Sequence, residues 1–579
     1  MQARACGRCN MDVTFPKSRI IYRGVAFTTG RRQGHDVIIA HGSVPAGASL
    51  IGGETAGNQV VFPASYENML VWDRILSPAP RLIAVNQSGY LSGFGAGNRI
   101  VLSVSDLANL SDQTTLGGWD GIYQSLVRST VPFWFIQQSI VRELIPQGVD
   151  PRRYPGIGHT GGYGPREFLR AGLFAFASLG GYSDDVLPIG ADADHAIVTG
   201  YDEESLQRSL DFNILAMSEA RHYTKFTVDT SHLFDFPVTL NPSEERRLLA
   251  TFHGRRFHIE NIVPGERVFD YTFDDDEIMR LGRKYWRACT VHKILYDHAA
   301  ALRRGLPFDY ELSLDETPEP TPARDLLLYM VMLYEVMGVP AGGVASAGPN
   351  IGFIKRHDFE GDLHRDLYPQ VNACSSVLHH FGAMLSVHSA DGVRASTGKG
   401  PGVDAVLKAA TGGHCELKVA DVYQEVLWQV LATSPLLAER ELFLEAWRRT
   451  FQAARTLAEL YENELKNRET RDVQRMLSSP KGQETIIRRF GEPALLLAQG
   501  TIGYGLPVFR LAAELTPKTD PDRPNPHEEL FRRFMFLTYR DLRPLIFRAV
   551  THEGWQRLTA AIEEATMVRL RAMDWVKSR

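Results

Sequence analysis

Residues 190–195 read Gly-Ala-Asp-Ala-Asp-His and combine two carboxylates with an imidazole directly after an apolar run. If this run forms a β-strand, Asp192 and Asp194 lie on one face and His195 lies at the strand end. Carboxylate oxygens and a neutral imidazole nitrogen together suit either a divalent metal ion or proton transfer. Taken alone, the stretch fits equally well a helix N-cap at Asp194 followed by an ordinary loop histidine.

Seven other short runs share this pattern, because most of them lead from apolar residues to polar ones. They are residues 82–87, 131–138, 225–229, 310–316, 342–347, 383–388 and 414–420. The polar residues near their ends include Gln87, Gln138, Asp229, Asp315, Glu316, His388 and Lys418. Charged side chains in a protein interior are costly unless they are paired or bind a metal ion. The repeated pattern favours a functional pocket over the alternative, a set of structural ion pairs.

Segments with helical spacing separate most of these runs: residues 166–179, 203–221, 276–304, 323–337 and 363–381. Strands that alternate with helices predict an α/β fold with a parallel sheet, and eight such units predict a (β/α)8 barrel of the TIM type over residues 81–430. Residues 1–80 are predicted to form a small β-rich N-terminal segment. Residues 431–579 are predicted to form a helical C-terminal extension that packs on the barrel or joins the subunits of a homo-oligomer.

Strand alternation predicts which side chains enter the barrel. If Leu312 and Leu314 face the helices, Glu311 and Asp315 point inward, and the same reasoning turns His388, Glu416 and Lys418 inward. The ligand set predicted for a divalent metal is His195, Glu311 and His388, with Asp315 in place of Glu311 if Glu311 lies too deep. Such nitrogen and oxygen ligands suit Mn²⁺, Co²⁺, Ni²⁺ or Zn²⁺, and their spacing does not choose among these ions.

Two lysines are further candidates for the site. Lys418 is predicted to stabilise an enolate or a substrate carboxylate, or to act as an acid or base if burial lowers its pKa. The alternative is a structural ion pair with Glu416 or Asp315. Lys399 lies in a Gly-rich segment whose spacing does not match a phosphate-binding loop, and it is predicted to bind an anion near the pocket.

The bulk composition narrows the class of protein. The 579 residues are 44% hydrophobic and 23% charged, with a net charge of -5, which is typical of a soluble globular protein and gives no reason to expect nucleic acid as a partner. We expect no signal peptide and no membrane span. Five cysteines fit a reducing cytoplasm without disulfides. Cys6 and Cys9 form a CxxC pair without a second pair, which is weak evidence for zinc.

The sequence resembles the tagaturonate/fructuronate epimerase family of hexuronate catabolism. The resemblance depends on short motifs that follow one another in the family's order: residues 95–99, 137–139, 190–195, 308–317, 386–389 and 410–418. The most specific are GADADH at residues 190–195 and the segment 308–317 that ends in Asp-Glu-Thr. The resemblance implies a cytoplasmic, divalent-metal-dependent enzyme that interconverts ketohexuronates.

The resemblance also implies roles for individual residues. Because the inverted carbon lies β to the ketone, either a metal-assisted retro-aldol reaction or a hydride transfer remains open. The chain has no GxGxxG nucleotide-binding motif, which favours the metal route. Asp194 and Asp315 are expected to move protons, and Lys418 to neutralise an oxyanion or the substrate carboxylate. The residues expected to bind substrate are Gln138, Asp192, Asp229, Glu316 and Lys399.

Two other functions use nearly the same residues. A metal-dependent aldolase or ketose isomerase acting on sugar acids would release two fragments or move the carbonyl group. A non-catalytic protein that binds a sugar acid would lack stoichiometric metal at His195, Glu311 and His388. Product analysis and metal analysis distinguish these alternatives.

Overall fold

The structure is a computed structural model that describes residues 12–84, 93–96, 107, 110–130, 133–143, 163–183, 185–315, 317–394, 397–419 and 421–577. It is a mixed α/β fold. The strands are β1 (Val13–Tyr22), β2 (Val25–Arg32), β3 (His35–His41), β4 (Glu54–Ala56), β5 (Gln59–Pro63), β6 (Gly93–Ala96), β7 (Phe133–Ser139), β8 (Ile189–Ile197), β9 (Lys225–Asp229), β10 (Arg256–Ile259), β11 (Phe269–Thr272), β12 (Asp309–Leu314), β13 (Ser346–Pro349), β14 (Met384–Val387) and β15 (Cys415–Val419).

Helices connect and follow these strands. They are α1 (Tyr66–Val71), α2 (Trp119–Arg128), α3 (Ile140–Glu143), α4 (Pro165–Leu179), α5 (Glu203–Glu219), α6 (Pro242–Phe252), α7 (Asp275–Arg303), α8 (Ala323–Val331), α9 (Tyr368–His380), α10 (Val403–Ala410), α11 (Asp421–Ala432), α12 (Leu437–Leu460), α13 (Thr470–Ser478), α14 (Pro480–Phe490), α15 (Glu492–Thr501), α16 (Leu506–Leu515), α17 (Glu529–Phe534), α18 (Tyr539–Ala549) and α19 (His552–Ala572). Short π or 3-10 turns occur at Trp72–Leu76, Ser231–Leu233, Met332–Val336, Leu363–Leu367, Tyr461–Leu465, Ile502–Tyr504, Thr516–Lys518 and Met535–Leu537.

The parallel sheet holds the polar strand ends together. Its strands pair in the order β12-β13-β14-β15-β6-β7-β8-β9, and β9 pairs in turn with β12. In the described residues, β6 pairs with β15 over four positions and with β7 over two. Most crossovers contain a helix, as parallel pairing requires. The mixed α/β class and the curled parallel sheet predicted from the sequence are confirmed.

Two of the predicted strands differ from those observed. The first strand of the parallel sheet is Gly93–Ala96 and not residues 82–87, since Leu82 forms only an isolated bridge to Ile189. Gln87, the predicted end of that run, lies outside the described residues. The strand predicted at residues 342–347 begins only at Ser346, as β13, because the preceding glycines at 342 and 343 belong to a turn.

The N-terminal strands form an antiparallel sheet in the order β1-β2-β3-β5-β4. A buried ionic group stabilises it against α4. Asp36 accepts hydrogen bonds from Arg31 at 2.9 Å and from Arg170 of α4 at 3.0 Å, and all three side chains are at most 5% exposed. The boundaries proposed near residues 80 and 430 stay predictions.

We expect Asp36→Asn to lower the free energy of unfolding by about 2 kcal/mol, because the buried guanidinium groups of Arg31 and Arg170 both lose their charged acceptor. Denaturant unfolding measures the effect. Asp270→Asn is the matched control, because Asp270 pairs with Arg256 where both side chains are exposed, and such pairs contribute little. Equal midpoints for the two variants would contradict the structural role of Asp36.

The helices after β15 contribute to two hydrophobic cores. Helices α18 and α19 pack into the main core, whereas segments between Ala454 and Phe534 form a second core. From this region, Arg532 donates to the carbonyl of Gly392 at 2.7 Å and Arg569 donates to that of Ala390 at 2.9 Å. These bonds fix the loop that follows β14. Within the described residues, we find no helix with the length and apolar character needed to span a membrane.

Candidate active site

A buried lysine forms ion pairs with a glutamate from each of two other strands, inside the curled sheet. The Nζ atom of Lys225, the first residue of β9, lies 2.5 Å from Glu311 Oε2 and 2.5 Å from Glu416 Oε2. Ser346 on β13 also donates to Glu311 Oε2 at 2.8 Å. All four side chains are fully buried, so each charged group depends on its oppositely charged neighbours to offset the cost of leaving water.

Lys418 is the cation of a second group of buried ion pairs, which shares Glu311 with the first. Its Nζ atom lies 2.8 Å from Asp194, 3.0 Å from Asp192 and 2.8 Å from Glu311. It also donates to Thr227 Oγ1 at 2.7 Å, and Thr227 donates in turn to Asp192 at 2.9 Å. Lys418 thus links three strands, as inward-facing residues of a curled sheet can do.

His388, which directly follows the carboxyl end of β14, contacts two carboxylates. Its Nε2 atom is 2.6 Å from Glu311 Oε1, and its Nδ1 atom is 3.1 Å from Asp315 Oδ1. Burial opposes a charge on the ring, but Asp315 and Glu311 outweigh this effect and raise the pKa of His388 to about 10. In this arrangement the imidazolium donates from both nitrogens. Ser313 donates to the same Asp315 oxygen at 2.7 Å.

His195 lies within β8 and not at its end, because the strand contains a bulge. The step from Ala193 to Ala196 is matched by a step of only two residues on β9. His195 has φ +55°, a conformation that costs energy for a residue with a Cβ atom. A bulge can turn one extra side chain toward a site, and this one gives His195 access to the same interior as Asp194.

The His195 ring lies beside the His388 ring, with the two centroids 5.3 Å apart. Its Nε2 atom is 3.6 Å from Asp194, and its Nδ1 atom is 3.9 Å from Asp229. Burial lowers the pKa of His195, so the ring is neutral near pH 7. Nδ1 is buried and has no hydrogen-bond partner among the described residues.

The electrostatics of this cluster follow from burial and charge pairing. Burial alone would lower the pKa values of Lys225 and Lys418, but the facing carboxylates outweigh it and raise both. Burial likewise opposes ionisation of Asp194, but the cations Lys418 and His388 outweigh it, and the pKa of Asp194 falls to about 2. Burial raises the pKa of Asp192. Lys418 therefore stays protonated, which favours its predicted role as a cation over that of an acid or base.

The structure brings together most of the residues that the sequence predicts for the site. These are Asp192, Asp194, His195, Asp229, Glu311, Asp315, His388 and Lys418. Glu316 lies outside the described residues. The Cys6 and Cys9 pair does so too.

Two predicted substrate-binding residues lie elsewhere. Gln138 points away from the cluster, since its amide donates to the carbonyl of Tyr163 at 2.6 Å and accepts from the hydroxyl of Tyr223 at 2.9 Å. Lys399 is 1% exposed and donates to the carbonyls of Ile354 and His357, the latter at 2.9 Å. Both side chains have hydrogen-bond partners outside the cluster, and their part in substrate binding stays a prediction.

The sequence reasoning missed Lys225, Thr227 and Gln137. Lys225 and Thr227 alternate with the apolar residues of β9, and the alternation already applied to β12 would have identified them. Gln137 is in register with Asp192, so it faces the interior that was assigned to Gln138. An irregularity in β7 between Trp134 and Ile136 shifts this register, and the sequence gives no sign of it.

The predicted ligands His195, Glu311 and His388 are not arranged around a common point in this structure. Among the residues that the structure describes, no three His, Cys, Asp or Glu side chains are arranged to hold a metal ion. Glu311 is saturated, because it accepts bonds from Lys225, Lys418 and His388. The donor chemistry nonetheless fits a divalent cation. Among the described residues, His195 Nδ1 has no hydrogen-bond partner, and the carboxylates of Asp192, Asp194, Glu311 and Glu416 face two ammonium groups, those of Lys225 and Lys418.

A central segment of the chain is similar to a known protein family. Residues 167–394 match the model of the family described as UxaE: tagaturonate epimerase. This segment, which is less than half of the chain, is similar to the tagaturonate epimerase family. The resemblance is thereby confirmed for this segment, and the matched family has the enzyme class that the resemblance implies, an isomerase acting on sugar acids. The match includes β8, β9, β12, β13 and β14, and therefore His195, Glu311 and His388.

Solved structures extend the likeness to the whole chain. The native crystal structure of the fructuronate-tagaturonate epimerase UxaE from Cohnella laeviribosi is 19% identical, with a TM-score of 0.57, and the match covers 98% of this chain and 97% of that one. A glycerol-complexed structure of the same protein gives 19% identity and a TM-score of 0.57, covering 97% and 96%. This likeness shows a shared fold. No curated protein sequence matches the chain.

Proposed function

We propose that this chain is a metal-dependent epimerase that interconverts ketohexuronates of the D-tagaturonate and D-fructuronate type. The observation that carries the proposal is the meeting of His195 and His388 beside Asp194 and Asp315, within a segment that matches the tagaturonate epimerase family. We further propose that the parallel sheet is a TIM-type (β/α)8 barrel, which the return of strand pairing from β9 to β12 supports. The site then lies at the carboxyl ends of the strands, where such barrels carry their active sites.

The metal ligands proposed here are His195, His388 and Asp315, and His388 would have to release a proton to bind the cation, because both of its nitrogens donate hydrogen bonds in this structure. Asp315 replaces Glu311, because Glu311 is fully buried and already saturated by donors. Bound there, a divalent cation would polarise the ketone of the sugar acid and its neighbouring hydroxyl.

The chain's own residues have distinct parts in a retro-aldol route. Asp315 accepts the proton of the hydroxyl on the inverted carbon, whose electrons form a carbonyl as the adjoining carbon–carbon bond breaks. Lys418 neutralises the negative charge that the ketone oxygen gains. Addition to the opposite face of the new carbonyl reforms the bond, and Asp315 returns the proton. Asp194, with its low pKa, is a poor base and holds Lys418 in place.

Incubation of chelator-treated protein with Mn²⁺, Co²⁺, Ni²⁺ or Zn²⁺ and a panel of ketohexuronates and ketohexoses tests the function. We expect no turnover without metal, restored turnover with at least one ion, and a product epimeric at the carbon β to the ketone. Two fragments would indicate an aldolase, and a moved carbonyl an isomerase. Full activity of metal-free protein would contradict the metal role.

Deuterium at the inverted carbon separates the two chemical routes. We expect turnover at nearly the same rate as with the unlabelled sugar, because the retro-aldol route never breaks that carbon–hydrogen bond. Hydride transfer breaks it and would give a primary isotope effect. Competitive turnover of labelled and unlabelled substrate, followed by mass spectrometry, measures the ratio.

A further inference from the structure

Several side-chain oxygens in the interior of the sheet have no hydrogen-bond partner among the described residues. They include Gln137 Oε1 and Ser139 Oγ on β7 and Ser386 Oγ on β14. These residues are 5%, 3% and 1% exposed. Buried polar atoms are nearly always paired with protein, water or a ligand, so unpaired atoms that share one interior require an explanation.

Strand register places the three residues next to the charged cluster. Gln137 is in register with Asp192, Ser139 with Asp194 and Ser386 with Glu416. Residues paired across parallel strands point to the same side of the sheet. The unpartnered oxygens therefore face the interior that contains Lys418.

The strand between β15 and β7 has glycines at the two positions that pair with Glu416 and Lys418. On β6, Gly93 is in register with Glu416 and Gly95 with Lys418. A glycine contributes no side chain, so neither Gly93 nor Gly95 places one between the strand that carries Lys418 and the strand that carries Gln137 and Ser139.

We propose that Ser139, Gln137 and Ser386 bind the hydroxyl groups of the open-chain sugar acid and so determine which polyhydroxy acid is accepted. This inference rests on the proposed function and adds the groups that recognise the substrate. A ketohexuronate carries several hydroxyls, each able to donate to one of these acceptors and to accept from a serine hydroxyl. A site built to pair with a hydroxyl rejects an analogue that lacks it.

The test is a pair of minimal variants, Ser139→Ala and Ser386→Ala, each of which loses a single oxygen. For each we expect KM for the ketohexuronate to rise about tenfold, and isothermal titration with D-fructuronate to show a similar loss of affinity. Discrimination against deoxy analogues should fall in at least one variant. Ser375→Ala is the matched control, because Ser375 is also buried and unpartnered among the described residues but lies on α9.

The outcomes separate this inference from the proposed function. If the wild-type protein turns over substrate and both serine variants retain its KM, affinity and discrimination, the recognition role is wrong and the function stands. If the wild-type protein binds D-fructuronate without turnover and the variants bind it about tenfold more weakly, the function is wrong and the recognition role stands. Failure of the wild-type protein to bind either ketohexuronate overturns both.

Discussion

We expect His195→Ala and His388→Ala each to abolish metal binding and to reduce turnover by more than about a hundredfold, because loss of a residue that merely supports a ligand already costs up to about a hundredfold. The reason is that both rings supply nitrogens to one small volume, with centroids 5.3 Å apart. Metal content by elemental analysis and turnover of ketohexuronate measure the two effects. Circular dichroism should show a folded protein in both cases.

A suitable control is His258→Ala, because His258 lies on the exposed hairpin strand β10 and contacts only Asp270 among the partners that the structure gives it. We expect unchanged metal content and turnover for this variant. A His195→Ala protein with full metal content and activity would remove His195 from the ligand set. The same result for His388→Ala would remove His388.

Glu311→Gln lowers the free energy of unfolding by roughly 3–5 kcal/mol, the cost of leaving buried charges uncompensated. Lys225 and Lys418 both depend on this carboxylate, and His388 donates to it as well. Burial opposes the ionisation of Glu311, but the two lysines outweigh it and hold its pKa well below the usual value. The neutral amide cannot supply the missing charge. Denaturant unfolding at pH 7 measures the change.

The matched comparison is Glu416→Gln, at the other carboxylate beside Lys225. Burial raises the pKa of Glu416, so its carboxyl group is closer to the neutral state that glutamine imitates. We therefore expect a smaller loss of stability than for Glu311→Gln. Equal losses would show that the network does not centre on Glu311.

Periodicity alone predicts much of this architecture. The run at residues 225–229 coincides with β9. The runs predicted at residues 383–388 and 414–420 overlap β14 and β15 closely. Alternation also predicts that Glu311, Glu416 and Lys418 point inward, because strand parity is a local property. The helices between the strands follow from their apolar spacing.

What the sequence could not predict depends on contacts between strands. The bulge at His195 inserts one extra residue into β8 relative to β9, and only the pairing of the two strands reveals it. The irregularity in β7 likewise exchanges the expected roles of Gln137 and Gln138. The saturation of Glu311 involves partners on β9, β14 and β15, which are far apart in the chain. None of these features has a local signature.

The bonds from the C-terminal helices to the loop after β14 have a consequence for the order of folding. Arg532 and Arg569 follow their acceptors by 140 and 179 residues. Contacts of such long range form late, because the intervening chain must first be ordered. The loop beside His388 therefore gains these two bonds only after translation has passed Arg569, so a nascent chain that has completed every sheet strand still lacks them.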